Sequence, residues 1–264
     1  MEKGICDYFQ TDKEKLLEMF NNLASKATVN GYCEESIIQS GFDDFIEESE
    51  PEEKIDELLF FHLTRRLEGT EESVCSNLKE LLTTENPFAD FLKKHEFTFQ
   101  VDDEGKIVIY KNDVLMPLKD ELDNSYFRSR LGYAGEGDLC INGYAFGDCL
   151  KENQYMDSLS QAPEIIGQLQ CRFGADKLLL DYYKNSKFYI YEYKLPLKEV
   201  IFDMDTRKDE EQKRQTFLEG ALYRLYCYML DGELINDKDN IALRIDDGTN
   251  MKGEWYLGRR LYCK

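Results

Sequence analysis

Histidine is almost missing from this chain: its 264 residues include two, His62 and His95, and a single tryptophan. Eight cysteines are present (Cys6, Cys33, Cys75, Cys140, Cys149, Cys171, Cys227 and Cys263), but no C-x-x-C occurs and no cysteine pair has histidines at ligand spacing. A zinc site is therefore not expected, nor any other metal. No apolar stretch approaches membrane-spanning length. The opening residues, MEKGICDYFQTDKEK, lack the apolar core of a signal peptide. The expectation is a cytoplasmic chain with reduced cysteines and no membrane partner. A dinucleotide glycine fingerprint, a P-loop, internal repeats and low-complexity tracts are all absent as well.

Positive charge is in deficit too. The net charge is −20, from 53 acidic and 33 basic residues. A field of that sign repels phosphate backbones and disfavours generic nucleic-acid binding. It suits plain solubility, attraction to a basic protein partner, or mimicry of nucleic acid by an inhibitor. A local basic patch could still receive a nucleic-acid acceptor, and the candidates are Arg65-Arg66, Arg128 with Arg130, and Arg259-Arg260.

Hydrophobic residues, in contrast, make up 42% of the chain and aromatics 13%, which excludes a disordered class and supplies a sizeable core. Thr11-Asp12-Lys13-Glu14 has the form of a capping box before a helix, and a second helix is predicted over Glu34–Glu47. The acidic run Glu47–Glu53, with Pro51, opposes continued helix and reads as a solvated linker. Residues 1–50 are accordingly expected to form a helical N-terminal arm, and residues 51–264 the main domain.

In that main domain Ile55–Leu63 reads as a buried strand, Pro87–Lys94 as a helix with proline in its first turn, and Phe97–Val101 and Ile107–Tyr110 as a hairpin turned at Asp102–Gly105. Lys187–Leu195 (KFYIYEYKL) is the clearest strand. Its alternation puts Tyr191, Tyr193 and Leu195 on one face and Ile190, Glu192 and Lys194 on the other. Asp209–Leu230 is a long amphipathic helix stopped by Asp231-Gly232. Strands and helices mix without regular β-α-β alternation, so the expected fold is α+β: a mixed or antiparallel sheet with flanking helices.

The stretch Phe61-His62-Leu63-Thr64-Arg65-Arg66 carries the chemistry. A neutral imidazole and a hydroxyl at i and i+2 share one side of a strand and can both address a ribose or an amide. Arg65 beside them can take a pyrophosphate bidentately. The bland alternative is a histidine satisfied at a strand end. Cys140 and Cys149 flank a loop rich in glycine and tyrosine (residues 124–147), and a Cys–His nucleophile there would need His62 or His95 to arrive by folding. Asp203 with Asp205, and Asp246 with Asp247, read as turn residues rather than cation ligands.

Strand–His-x-Thr, a variable loop, then a helix near Asn77-Leu78-Lys79-Glu80-Leu81-Leu82 resembles the opening of ADP-ribosyltransferase-like domains, particularly toxin-type enzymes that modify nucleic acids. The resemblance implies NAD as co-substrate and a toxin or phage-defence effector. It makes His62, Thr64, Arg65 and Tyr126 the cofactor contacts, with Tyr133 and Tyr144 as further aromatic candidates. It makes Glu192 the catalytic carboxylate, working with His62, and Glu254 the fallback. A carboxylate in that role steadies the oxocarbenium-like charge that develops as the nicotinamide–ribose bond breaks. Glu192 reads equally well as a charged residue on the wet face of its strand. The alternative function is a non-catalytic acidic interaction protein: an inhibitor, an immunity protein or a nucleic-acid mimic.

Overall fold

The computed structural model describes residues 2–29, 32–49, 51, 54–119, 125–135, 137–148, 150, 154–203, 209–232 and 240–262. The chain opens with α1 (Glu2–Tyr8), α2 (Lys13–Ala27) and α3 (Glu35–Ser49), the last two joined through the two-residue strands β1 (Thr28–Val29) and β2 (Tyr32–Cys33). The middle contributes β3 (Glu57–Leu67), α4 (Leu78–Thr83), α5 (Pro87–Lys94), β4 (Phe97–Val101), β5 (Ile107–Lys111), β6 (Val114–Met116), α6 (Ser125–Arg130) and β7 (Asn142–Tyr144). Then come α7 (Gln154–Gln161), α8 (Glu164–Phe173), α9 (Asp176–Lys184), β8 (Ser186–Pro196), β9 (Ile201–Phe202), α10 (Glu210–Asp231), β10 (Ala242–Arg244) and β11 (Tyr256–Leu261). The architecture is α+β, and every strand pairing among the described residues is antiparallel. Among the described residues, no helix is long and apolar enough to cross a membrane.

Local chemistry sets the ends of these elements. The N-cap of α2 is Asp12, whose carboxylate accepts from the Lys15 N–H at 2.9 Å, one position later than the Thr11 box predicts. Asp209 and Gln212 form a reciprocal capping box at the start of α10. Gly232 ends that helix in the left-handed region, at φ 71°, where a side chain would be strained. The helices of the 1–50 arm bury Leu16, Phe20, Ile38 and Phe42 in one cluster with Leu218, Leu222, Leu225 and Tyr226 of α10. Of the acidic linker, Glu50, Glu52 and Glu53 lie outside the described residues.

The six-stranded sheet runs β11-β8-β3-β7-β10-β9. Its spine is the β3–β8 pair, in register from Glu57↔Pro196 to Leu67↔Ser186. One face presents Leu58, Phe60, Tyr191, Tyr193 and Leu195 to a core shared with Leu243, Ile245 and Trp255. The opposite face presents Phe61, Leu63, Phe188 and Ile190 to Leu150 and Met156. A second core lies between the β4-β5-β6 sheet and α4, α5, α6, α8 and α9. Central β3 is long and β7 short, and the two meet at one pair, Phe61↔Tyr144. Gly143 permits that close approach: a Cβ there would fall 2.4 Å from a ring carbon of Phe60.

Candidate functional site

Beyond Phe61 the sheet forks. β3 continues beside β8, while β7 and β10 diverge, and the gap encloses a cavity of about 670 Å³. Helices α4, α5, α6 and α8 contribute its outer walls.

His62 stands at the fork. With Phe61 opposite Tyr144, a continued ladder would bring Leu63 opposite Asn142. The Asn142 carbonyl instead accepts a hydrogen bond from His62 Nδ1 at 2.7 Å. A carbonyl has no proton to give, so Nδ1 carries a hydrogen and Nε2 is the ring nitrogen left to face the cavity.

Cys75 faces the same cavity and is 4% exposed. An isolated bridge to Met251 fixes its backbone, with the Met251 N–H donating to the Cys75 carbonyl at 2.9 Å. Two residues on, Asn77 caps α4 and is itself held by Asn250 at 2.8 Å. Burial alone would push the Cys75 thiol up, but the His62 imidazole and the Arg66 guanidinium outweigh it and bring the thiol down to about 7. Arg66 lies over the Tyr191 ring, 4.7 Å from its centroid, and donates to the Val74 carbonyl. Burial works against the Arg66 charge, yet Cys75, Tyr191 and Tyr193 together raise its pKa. Tyr193 Oη is enclosed, has no hydrogen-bond partner of good geometry, and is pushed up by burial and then by Cys75.

Of the residues marked in the sequence, His62, Thr64, Arg65 and Tyr126 line this cavity, as does Tyr144, whereas Tyr133, Glu192 and Glu254 do not. Glu192 needs correction. It pairs with Phe61, not His62, so the β3–β8 register assigns it to the opposite sheet face. There it meets Arg260 Nε at 3.5 Å. Glu254 is exposed in a 3-10 turn. Arg65 needs correction as well. Its guanidinium is held by Ser186 Oγ at 2.8 Å and by the carbonyls of Ser160, Tyr183 and Ser186 at 2.7–2.9 Å, and it stacks on Tyr183. With those N–H groups committed, Arg65 ties β3 to α7 and α9 and leaves no fork for a pyrophosphate.

On the far wall Tyr126 Oη donates to Glu164 at 3.4 Å, and Arg130 bridges Glu164 at 3.0 Å and Asp138 at 2.8 Å. Burial and the Glu164 charge push the Tyr126 phenol up. Cys140 also lines the cavity, and burial with Asp138 pushes its thiol up to about 12, so it stays protonated and inert. Asp138, Cys140 and Asp247 hold ligand atoms within 4.8 Å of one another, but Arg130 already neutralises Asp138 and the Leu139 N–H occupies Asp247 at 2.8 Å. Asp246 serves a turn, accepting from the Gly248 N–H at 2.9 Å; Asp205, Cys149 and Cys263 lie outside the described residues. His95 is not among the residues lining the cavity and pairs with Asp181 at 3.6 Å.

The arginines of the expected basic patches have internal acceptors as well. Arg128 donates to the Leu118 carbonyl, Arg259 to Tyr191 Oη, and Arg260 to the Gly147 carbonyl. Sequence reasoning missed Cys75 because its histidine lies thirteen positions upstream, across a loop with no motif. No family model, curated protein or solved structure matches this chain.

Proposed function

We propose that the fork cavity is the active site of a thiol enzyme in which Cys75 attacks a carbonyl carbon of a small organic substrate. The observation that carries this is the buried Cys75 thiol against His62 and Arg66, with the imidazole oriented by the Asn142 carbonyl. Nucleophile, base and orienting group are the three parts that activated-nucleophile chemistry requires. A cavity of about 670 Å³ matches a metabolite rather than a protein segment.

The step runs as follows. His62 Nε2 takes the thiol proton, and the sulfur electron pair forms a C–S bond to the carbonyl carbon. The tetrahedral oxyanion collapses, expelling the leaving group, which takes the proton back from His62. Water or another nucleophile then cleaves the thioester. Arg66 supports the thiolate. The test uses p-nitrophenyl acetate as a generic acyl donor. Mass spectrometry is expected to find one acetyl group on Cys75, with nitrophenolate released, and C75S is expected to abolish both. Release at the same rate in C75S would remove the proposal.

A second reading keeps NAD as co-substrate in the same cavity, in an ADP-ribosyl transfer of toxin or phage-defence type. The lining of one cavity by His62, Thr64 and Tyr126 favours it. Glu164, held by Arg130 beside Tyr126, is then the carboxylate that steadies the ribosyl cation. Titration with NAD and mass-spectrometric detection of free nicotinamide tests this. Nicotinamide release that survives C75S and is lost in E164Q selects this second reading over the first.

A further inference from the structure

We propose that Arg244 anchors an anionic group, a carboxylate or a phosphate, on the substrate that Cys75 attacks. This rests on the thiol reading of the cavity. Among the described residues four guanidinium groups and no lysine line the cavity, so the cationic side chains available there to an anion are arginines. Three of the four are committed. Arg65 is clamped by carbonyls, Arg66 is stacked on Tyr191 and bonded to Val74, and Arg130 is closed by Glu164 and Asp138.

Arg244 differs. Its Nε is buried and has no hydrogen-bond partner among the described residues. Its Nη1 donates to Cys140 Sγ at 3.9 Å, a bond to sulfur, while Nε pairs only loosely with Asp203 Oδ1 at 3.9 Å, too long for a hydrogen bond to oxygen. A guanidinium presents five N–H donors in a planar fork that fits a pair of carboxylate or phosphate oxygens. Leaving the buried Nε–H without a matched oxygen is costly, and an anion entering the cavity would satisfy it. Burial opposes its charge, but the hydrogen bond to Cys140 and the charges of Asp247 and Asp203 outweigh this and keep it cationic. None of the neighbouring acids is seen bonded to it: Asp138 pairs with Arg130, Asp247 accepts from the Leu139 N–H and acts on Arg244 through its charge, and Asp203 stays at 3.9 Å.

Arg244 pairs with Asn142 in the β10–β7 register, and the Asn142 carbonyl orients His62. By strand alternation the Arg244 side chain leaves the sheet on the Phe61 face and His62 on the other, and the two share a cavity only through the gap where the β3–β7 ladder stops, which both line.

The test compares two alkylating reagents of the same size, anionic iodoacetate and neutral iodoacetamide. In both the thiolate forms a C–S bond and iodide leaves. Peptide mass mapping follows Cys75, with the exposed Cys33 and Cys171 as internal references. Iodoacetate is expected to gain about tenfold at Cys75 relative to its ratio at the reference thiols, the size of one charge-assisted contact. Arg244→Gln is expected to abolish that gain while leaving the iodoacetamide rate unchanged, and Arg244→Lys to retain part of it. Acetate and inorganic phosphate, added separately, are expected to slow labelling saturably in the parent protein and not in R244Q, and the stronger competitor names the anion. A charge preference that is absent, or that survives R244Q, overturns the Arg244 assignment but leaves the thiol reading standing. Cys75 reacting no faster than Cys33 or Cys171 with either reagent overturns both.

Discussion

Replacing His62 by alanine tests the origin of the Cys75 reactivity. The thiol is lowered to about 7, against about 8.5 for a free cysteine. At pH 7 half of Cys75 is thiolate, compared with about 3% of an ordinary thiol, a gain of roughly fifteenfold. A less basic thiolate is also a weaker nucleophile, and a Brønsted slope of about 0.4–0.5 takes back roughly fivefold. The net advantage is only about threefold at pH 7, so the shape of the profile is the better discriminant. With iodoacetamide and peptide mass mapping, the Cys75 rate is expected to level off above pH 7, while Cys33 and Cys171 keep accelerating. In H62A the largest influence lowering the thiol is gone. Burial, the largest influence raising it, is then opposed by Arg66 and Tyr193 alone, so the midpoint is expected to rise by about a unit or more. An H62A profile that superimposes on the parent's would refute the electrostatic account of this site.

Three further outcomes follow from the same structure. Because the folded pKa of Cys75 lies below the unfolded one, its thiolate stabilises the fold fully above about pH 8.5, and that contribution is lost as pH falls through about 7; the melting-temperature gap between parent and C75S should therefore widen from pH 6 to 9, and a flat gap would contradict it. Gly143→Ala puts a methyl group 2.4 Å from the Phe60 ring and should cost about 1–3 kcal/mol in urea unfolding through forced repacking at the fork; an unchanged midpoint would show that β7 shifts freely. Arg65→Ala removes a charged donor from four acceptors and should cost about 3 kcal/mol without altering the iodoacetate preference of Cys75; loss of that preference would return Arg65 to the ligand site.

Local order was largely legible in the sequence. The alternation of KFYIYEYKL marks β8, Pro87 marks the first turn of α5, and Asp209 with Gly232 bounds α10, because period, cap and stop signals act over a few residues. The α+β class follows from the order of those elements. The same alternation correctly separates Tyr191 and Tyr193 from Glu192, yet it cannot tell which residue of β3 each one meets. That depends on the cross-strand register, and a shift of one position would put Glu192 beside His62. The register is decided by which face of each strand is buried, a property of the assembled layers. Arg65 and Arg66 are alike in sequence, but opposite faces of one strand make the first a clamp and the second a neighbour of the thiol. Cys75 has no partner within any motif spacing. It becomes a site only because its loop is fastened to Met251 and Asn77 to Asn250, which holds it over the point where the β3–β7 ladder stops.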